Sequence, residues 1–180
     1  MVLDLVDKKL VTDQIVLTVG YDIENLNNAD RRKQYHGEVT IDRYGRKIPK
    51  HAHGTWNLPR ATSSSSELLE AMAALYDKIV NPALLIRRMS LSACHVVNEK
   101  MAKEREQKET FEQLDLFTDY AKKEAKEKEE QKKRERERRM QEALLTIKKK
   151  YGKNAVLRGM NFEEGATAKE RNGQIGGHQA

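Results

Sequence analysis

The feature that most constrains this chain is a run of charge across residues 99–150. Of these 52 residues, 17 are Lys or Arg and 14 are Asp or Glu, so the run cannot lie in a hydrophobic core. Opposite charges recur four residues apart, as at Glu129 and Lys133, which stabilises a helix. The centre of the run is almost free of apolar residues, so it offers no coiled-coil seam. We predict a solvated single helix over 119–151, preceded by a charged linker over 99–118.

Apolar patterning places the globular part in residues 1–98. Apolar residues alternate with other residues through 14–21, which predicts a β-strand. The same alternation recurs in 51–59 and 84–96. The polar, turn-rich residues 22–49 between the first two strands predict a long loop or an extended hairpin.

Helical patterns flank these strands. Residues 3–10 are typical of a short helix, and Ser64 and Glu67 form a capping box ahead of an amphipathic helix that ends at Pro82. We predict an α+β fold in which helices pack on one face of a small antiparallel sheet. The tail over 152–180 is rich in Gly, Asn and Thr, and we expect it to be disordered.

The second face of this sheet is polar. The side chains predicted on this face alternate with the apolar residues of the strands. They are short hydrogen-bonding groups or basic groups, which suit phosphate oxygens. They are Thr18, Thr55, Asn57, Arg88, Ser90 and Ser92. An ordinary solvated sheet face is the alternative interpretation.

Charge and cysteine content narrow the class of protein. The net charge is +6 and the isoelectric point about 9.3, which favours a polyanionic partner, although the excess is thinly spread. Cys94 is the only cysteine, so an internal disulfide is excluded and a reducing compartment fits. The first residues are unlike a signal peptide, and no apolar run reaches membrane-spanning length. We expect a cytoplasmic protein without a membrane partner.

Six segments, taken in order, resemble the C-terminal part of Y-family (DinB/UmuC-like) translesion DNA polymerases. The block HGTWNLPRAT at 53–62, a Ser-capped helix and IRRMSLS at 86–92 resemble the little-finger domain of that family. LVDKKLVTD at 5–13 is similar to the end of that domain's first helix. The segments 148–155 and 171–178 resemble tails of UmuC-like members from Gram-positive bacteria.

The resemblance implies a domain that grips primer–template DNA by its sheet face, in a nucleoid-associated protein of DNA repair. Arg and Ser side chains on strands contact phosphates without reading bases, as a lesion-tolerant enzyme requires. The implied contact residues are Arg87, Arg88, Ser90 and Ser92, with Arg60, Thr62, Thr55 and Asn57 as further candidates.

A pentapeptide within the charged run resembles the motif by which bacterial polymerases dock on the β sliding clamp. It consists of Gln113, Leu114, Asp115, Leu116 and Phe117. The resemblance implies that Leu116 and Phe117 enter an apolar pocket while the Gln113 amide makes hydrogen bonds. A helical turn folding back on the domain is the alternative.

The family's palm and fingers domains have no counterpart in the sequence. We therefore expect no catalytic residues, no metal or other cofactor, and no polymerase activity of this chain alone. The little finger's first strand, expected at the centre of the sheet, is also missing, which predicts marginal stability unless a separately encoded palm-and-fingers half binds. A clamp-binding competitor, or a nonfunctional remnant of a truncated polymerase gene, remains the alternative.

Two alternative sites involve histidine and cysteine. His51 and His53 share one strand face and could begin a zinc site, but only one of Cys94 and His95 could face them. Surface histidines are the favoured interpretation. Cys94 has no activating neighbour in the sequence that would make it a nucleophile.

Overall fold

The computed structural model describes residues 1–109, 120–175 and 178–179. The chain divides into two compact units, one comprising Met1–Leu5 and Lys9–Glu112 and the other comprising Val6–Lys8 and Gln113–Ala180. The predicted fold class is confirmed, because the chain combines a small antiparallel sheet, helices and one long charged helix.

The first unit contains the sheet. Its elements are α1 (Val2–Asp7, up to Leu5 in this unit), β1 (Leu10–Tyr21), α2 (Glu24–Asn27), α3 (Ala29–Gln34), β2 (Val39–Ile41), β3 (Lys47–Pro49), β4 (Ala52–Thr62), α4 (Ser65–Ile79), β5 (Ile86–Cys94), β6 (Val97–Asn98) and α5 (Glu99–Glu109). β1 is the central strand and pairs antiparallel with β4 on one side and β5 on the other, while β6 pairs with its start. The resemblance led us to expect a missing strand at the centre of the sheet. That position is occupied by β1, to which β4 and β5 are hydrogen-bonded directly.

One face of this sheet forms the core with α4. Ile15, Leu17 and Val19 alternate along β1 and are fully buried, and they pack with Leu68 and Leu75 of the helix. Burying a side chain of this size stabilises the fold by about 1.5–3 kcal/mol before the loss of conformational entropy. The alternation therefore fixes which face of the sheet the helix covers.

Gly54 of β4 is where the helix comes closest to the sheet. A Cβ placed on it would lie 2.9 Å from Leu75 Cδ1 and 2.9 Å from Ile79 Cγ2. Normal carbon–carbon contacts are about 3.5–4.0 Å, so a side chain at this position requires Leu75 and Ile79 to shift. Glycine at this position allows α4 to pack close to the sheet.

The boundary between α1 and β1 differs from the prediction. The helix ends at Asp7 and the strand begins at Leu10, four residues before the predicted start. Lys9 adopts a left-handed φ of 53°, which ends the helix, and Leu10 then pairs with Asn98 of β6. The pairing partner is about ninety residues away in sequence, which local patterning does not reveal.

The predicted capping box is half confirmed. Ser64 Oγ accepts a hydrogen bond from the Glu67 backbone N–H at 3.2 Å and caps α4 as expected. The Ser64 backbone N–H instead donates to Thr62 Oγ1 at 3.0 Å, and the Glu67 carboxylate accepts from the Arg60 guanidinium. The helix ends with Val80 as its C-cap, close to the predicted stop at Pro82.

Residues 29–50 form a small substructure that we call the hairpin lobe. It contains α3 and the β2–β3 hairpin, so the hairpin was predicted but the helices α2 and α3 were not. Asn25, fully buried, anchors the base of the lobe: its Nδ2 donates to Asp22 O and Leu85 O, and its Oδ1 accepts from the Leu85 N–H, each at 2.9 Å. These bonds tie the end of β1 to the start of β5.

The second unit contains α6 (Tyr120–Tyr151), which confirms the predicted charged helix. The Glu129–Lys133 ion pair predicted from their spacing is present at 3.5 Å. Gly152, with φ of 92°, ends the helix. The described part of the tail has short elements only: a 3₁₀ turn (Gly159–Phe162), α7 (Ala168–Arg171), β7 (Gln174–Ile175) and β8 (His178–Gln179). None of the helices in the described ranges is both long and apolar enough to cross a membrane.

Candidate nucleic-acid interface

The face of the sheet opposite α4 is a polar surface, which we call the open face. Antiparallel register aligns its side chains in rows that cross three strands. The rows are His53–Thr18–Ser90, Thr55–Val16–Ser92 and Asn57–Gln14–Cys94, followed at the other end by Gly20 beside Arg88. The side chains of these rows are exposed on β4 (His53, Thr55 and Asn57). They are also exposed on β5 at Arg88, Ser90 and Ser92, and those on β1 are half-buried. The predicted partition of the strands between two faces is therefore confirmed.

Two hydrogen bonds cross the strands and orient polar side chains on the open face. Gln14 Nε2 donates to Asn57 Oδ1 at 2.8 Å, and Thr18 Oγ1 lies 2.9 Å from His53 Nδ1. Because the Asn57 oxygen accepts from Gln14, its NH2 group is the part that can donate to a ligand. The open face thus presents oriented donors before any ligand arrives.

Arg87 and Arg88 lie where β5 begins. The register passes from Tyr21 opposite Ile86 to Gly20 opposite Arg88, so Arg87 is the extra residue of a β-bulge. Both arginines are exposed. Arg88 belongs to the open face, and its neighbour Gly20 has no side chain that could cover the guanidinium. A bulge changes the direction of the side chains beside it, so Arg87 departs from the strict alternation of β5.

The structure places Arg60 and Thr62 away from the open face. Arg60 makes an ion pair with Glu67 in the first turn of α4, on the helix-covered side of β4. Thr62 is buried, and its hydroxyl accepts the Ser64 N–H. These two residues organise the start of α4, so we leave them out of the candidate interface. Ser90, Ser92, Thr55 and Asn57 lie together on the open face as the sequence predicted.

The histidine and cysteine residues do not converge. The rings of His51 and His53 have centroids 6.4 Å apart, and Cys94 lies on the row of the open face farthest from them. His95 has φ of 49° and its Nδ1 lies 3.0 Å from Asp13 Oδ1. Among the described residues, no three His, Cys, Asp or Glu side chains are grouped so that they could hold a metal ion.

The clamp-docking pentapeptide predicted at 113–117 lies outside the described residues. The structure therefore bears only on the sheet, and the pentapeptide stays a prediction from sequence. Comparison of the chain with protein-family models, with curated proteins and with solved structures found no match. The resemblance to Y-family polymerases likewise remains a prediction.

Sequence analysis missed two members of the candidate interface, Gln14 and His53. Both belong to the rows that contain Asn57 and Thr18, and the alternation that placed Thr18 on this face applies equally to them. Gln14 was taken as the first residue of the strand, which hid its position as the partner of Asn57. The pattern for identifying both residues was present in the sequence.

Proposed function

We propose that this chain binds primer–template DNA through the open face, as the DNA-gripping and clamp-docking part of a Y-family translesion polymerase. The observation that supports DNA binding best is the asymmetry of the sheet. One face is covered by α4, and the other exposes Thr55, Asn57, Ser90 and Ser92 beside Arg88. Short hydroxyl and amide groups beside a guanidinium suit phosphate oxygens.

The chemistry of this face favours backbone contacts over base recognition. Apart from Gln14, Asn57 and Arg88, the face lacks the Asn, Gln or Arg side chains that read base edges in a bidentate manner, whereas its Ser and Thr hydroxyls donate readily to phosphate oxygens. Binding that depends on phosphates is independent of sequence and sensitive to salt. We expect a dissociation constant of about 10⁻⁴–10⁻⁶ M at physiological salt, typical of non-specific DNA binding.

The test compares Arg88→Ala with Lys78→Ala in binding to a fluorescein-labelled primer–template duplex. Lys78→Ala is the matched control, because Lys78 is also an exposed cation but belongs to α4, on the covered side of the sheet. Each phosphate contact contributes about 0.9 to the slope of log affinity against log salt. Loss of one contact therefore lowers affinity about eightfold at 0.1 M salt. We expect this loss for Arg88→Ala alone and on duplexes of unrelated sequence. Equal effects of the two substitutions would contradict binding through the open face.

Clamp docking is the second part of the proposal, and the residues at 113–117 support it. They are the apolar segment of a strongly charged stretch, and an apolar pair such as Leu116 and Phe117 gains most by entering a partner's pocket. The test measures binding to purified bacterial β clamp by wild type and by Leu116→Ala/Phe117→Ala. The matched control is Met140→Ala/Ile147→Ala, which removes two exposed apolar side chains from α6.

We expect micromolar clamp binding that only the Leu116→Ala/Phe117→Ala variant loses. Binding retained by that variant, or lost equally in the α6 control, would refute the assignment of the pentapeptide. DNA binding through the open face would be unaffected by either outcome, since the two parts of the proposal are measured with different ligands.

A further inference from the structure

The positive charge of the globular part is concentrated in the hairpin lobe. Residues 29–50 contain seven Lys or Arg and three Asp or Glu, a net charge of +4. Residues 1–98 together contain 13 Lys or Arg and 11 Asp or Glu, a net charge of +2. The part of 1–98 that lies outside the lobe therefore has a net charge of −2. The lobe is therefore the part of residues 1–98 whose net charge attracts a polyanion.

Ion pairs inside the lobe leave a defined set of cations without a carboxylate partner. Each acidic residue of the lobe is paired within it: Asp30 with Lys33 at 3.6 Å, Glu38 with Lys50 at 2.6 Å, and Asp42 with Arg46 at 2.7 Å. Four exposed side chains have no carboxylate partner among the described residues. They are Arg31, Arg32, Arg43 and Lys47.

The tip of the hairpin is preorganised. Asp42 accepts the Arg46 guanidinium and the Tyr44 and Arg46 backbone N–H groups, and the Arg46 side-chain hydrogen bond is the main cause that lowers the pKa of Asp42 to about 2. Gly45 supplies the left-handed residue of the turn, with φ of 78°. Arg43 Nη2 donates to Tyr44 Oη at 2.6 Å, and its guanidinium lies 4.7 Å from the centre of that exposed ring. The charge of Arg46 is therefore compensated by Asp42, whereas Arg43, held against the exposed Tyr44 ring, and Lys47 have no carboxylate partner among the described residues.

The lobe lies at the end of the sheet that carries the arginines of β5. Asp22, directly after β1, donates its backbone N–H to Leu85 O at 2.9 Å, and Asn25 bonds to the same residue. Leu85 directly precedes β5, whose third residue is Arg88. The lobe ends at Lys50, just before β4 begins opposite Val19, and Arg88 is opposite Gly20. The lobe and Arg88 therefore lie at the same end of the sheet, where one extended polyanion could contact both.

We propose that the hairpin lobe is a second phosphate-binding surface, which holds the backbone of the same DNA where it leaves the open face at the Arg88 end. This inference rests on the proposed DNA binding, and it adds where the DNA path continues. Arg43 and Lys47 at the hairpin tip make the contacts, and the Asp42–Arg46 pair keeps the tip in shape. Nucleic-acid phosphate suits both surfaces: the four lobe cations that have no carboxylate partner in the described part of the chain, and the hydrogen-bonding groups of the open face.

The experiment measures the salt dependence of duplex binding by fluorescence anisotropy between 50 and 200 mM salt, a range in which phosphate contacts dominate affinity. Lys47→Ala and Arg43→Ala are compared with Lys78→Ala on α4 and with Arg88→Ala on the open face. For each lobe variant we expect the slope of log affinity against log salt to fall by about 0.9 and affinity at 0.1 M salt to fall about eightfold. Lys78→Ala should match wild type. Thermal unfolding of each variant checks that the exposed substitutions leave the fold intact.

The outcomes separate this inference from the proposed function. Loss in Arg88→Ala, with Lys47→Ala and Arg43→Ala indistinguishable from Lys78→Ala, would overturn the lobe surface and leave the open face standing. Loss in the lobe variants with none in Arg88→Ala would refute the open face and, with it, the path that continues from the open face onto the lobe. A wild-type chain that binds no duplex at any salt would overturn both.

Discussion

Replacing Gly54 tests the packing that leaves the open face exposed. In Gly54→Ala the new Cβ lies 2.9 Å from Leu75 Cδ1 and from Ile79 Cγ2, about 0.6–1 Å inside normal contact. Leu75 is fully buried, so its Cδ1 has to shift within a packed core. Overpacking of this kind costs about 1–3 kcal/mol. Alanine in place of glycine in a strand returns about 0.5–1 kcal/mol through reduced backbone entropy.

Gly20→Ala is the matched control, because Gly20 lies in β1 on the open face and its Cβ would meet only the Arg88 carbonyl oxygen at 3.9 Å. The entropy gain is common to both substitutions, so the two variants should differ by the overpacking term of about 1–3 kcal/mol, with Gly54→Ala the less stable. Urea unfolding is followed by the fluorescence of Trp56, the only tryptophan, which packs against this core. Equal stability, or a more stable Gly54→Ala, would refute the close approach of α4 to this strand.

Three further predictions concern local structure. The pKa of Asp42 lies near 2, below the usual 3.8, so the contribution of this carboxylate to stability is present above pH 3.8 and is lost as the pH falls through 2. Arg46→Gln should raise the pKa of Asp42 part of the way to 3.8, as measured by NMR titration. Asn25→Ala should destabilise the fold by about 1–3 kcal/mol in urea, since it leaves buried backbone groups unpaired, whereas the exposed Asn27→Ala should change little. Ser64→Ala should cost about 1 kcal/mol of stability by removing the N-cap of α4, and Ser64→Thr should retain most of it; a loss as large in Ser64→Thr would contradict the capping role.

Local patterning predicted the parts of the fold that depend on local physics. The strict alternation of Ile15, Leu17 and Val19 identified β1 and its buried face, and Ser64 identified the start of α4. Because alternation also decides which residues face away from the helix, Thr55, Asn57, Ser90 and Ser92 could be assigned to the open face before the structure.

Features set by distant partners could not be predicted in the same way. Leu10 is a strand residue because Asn98 pairs with it, and Asn25 is buried because Leu85 uses both ends of its amide. Arg60 is a different case, since its position two residues after Leu58 on the apolar face already placed it on the covered side. The ion pair with Glu67 then determines its role.

The central claim is that DNA lies on the open face, and side-chain amide signals in the NMR spectrum test it most directly. Titration of the ¹⁵N-labelled chain with an unlabelled primer–template duplex should shift the NH2 signals of Asn57 and Gln14, which lie side by side on that face. The NH2 signal of Asn25, buried at the base of the lobe, is the internal control and should not follow the same titration. Saturable shifts of Asn57 and Gln14 are the result we predict. Duplex binding that leaves both signals unmoved would contradict the claim.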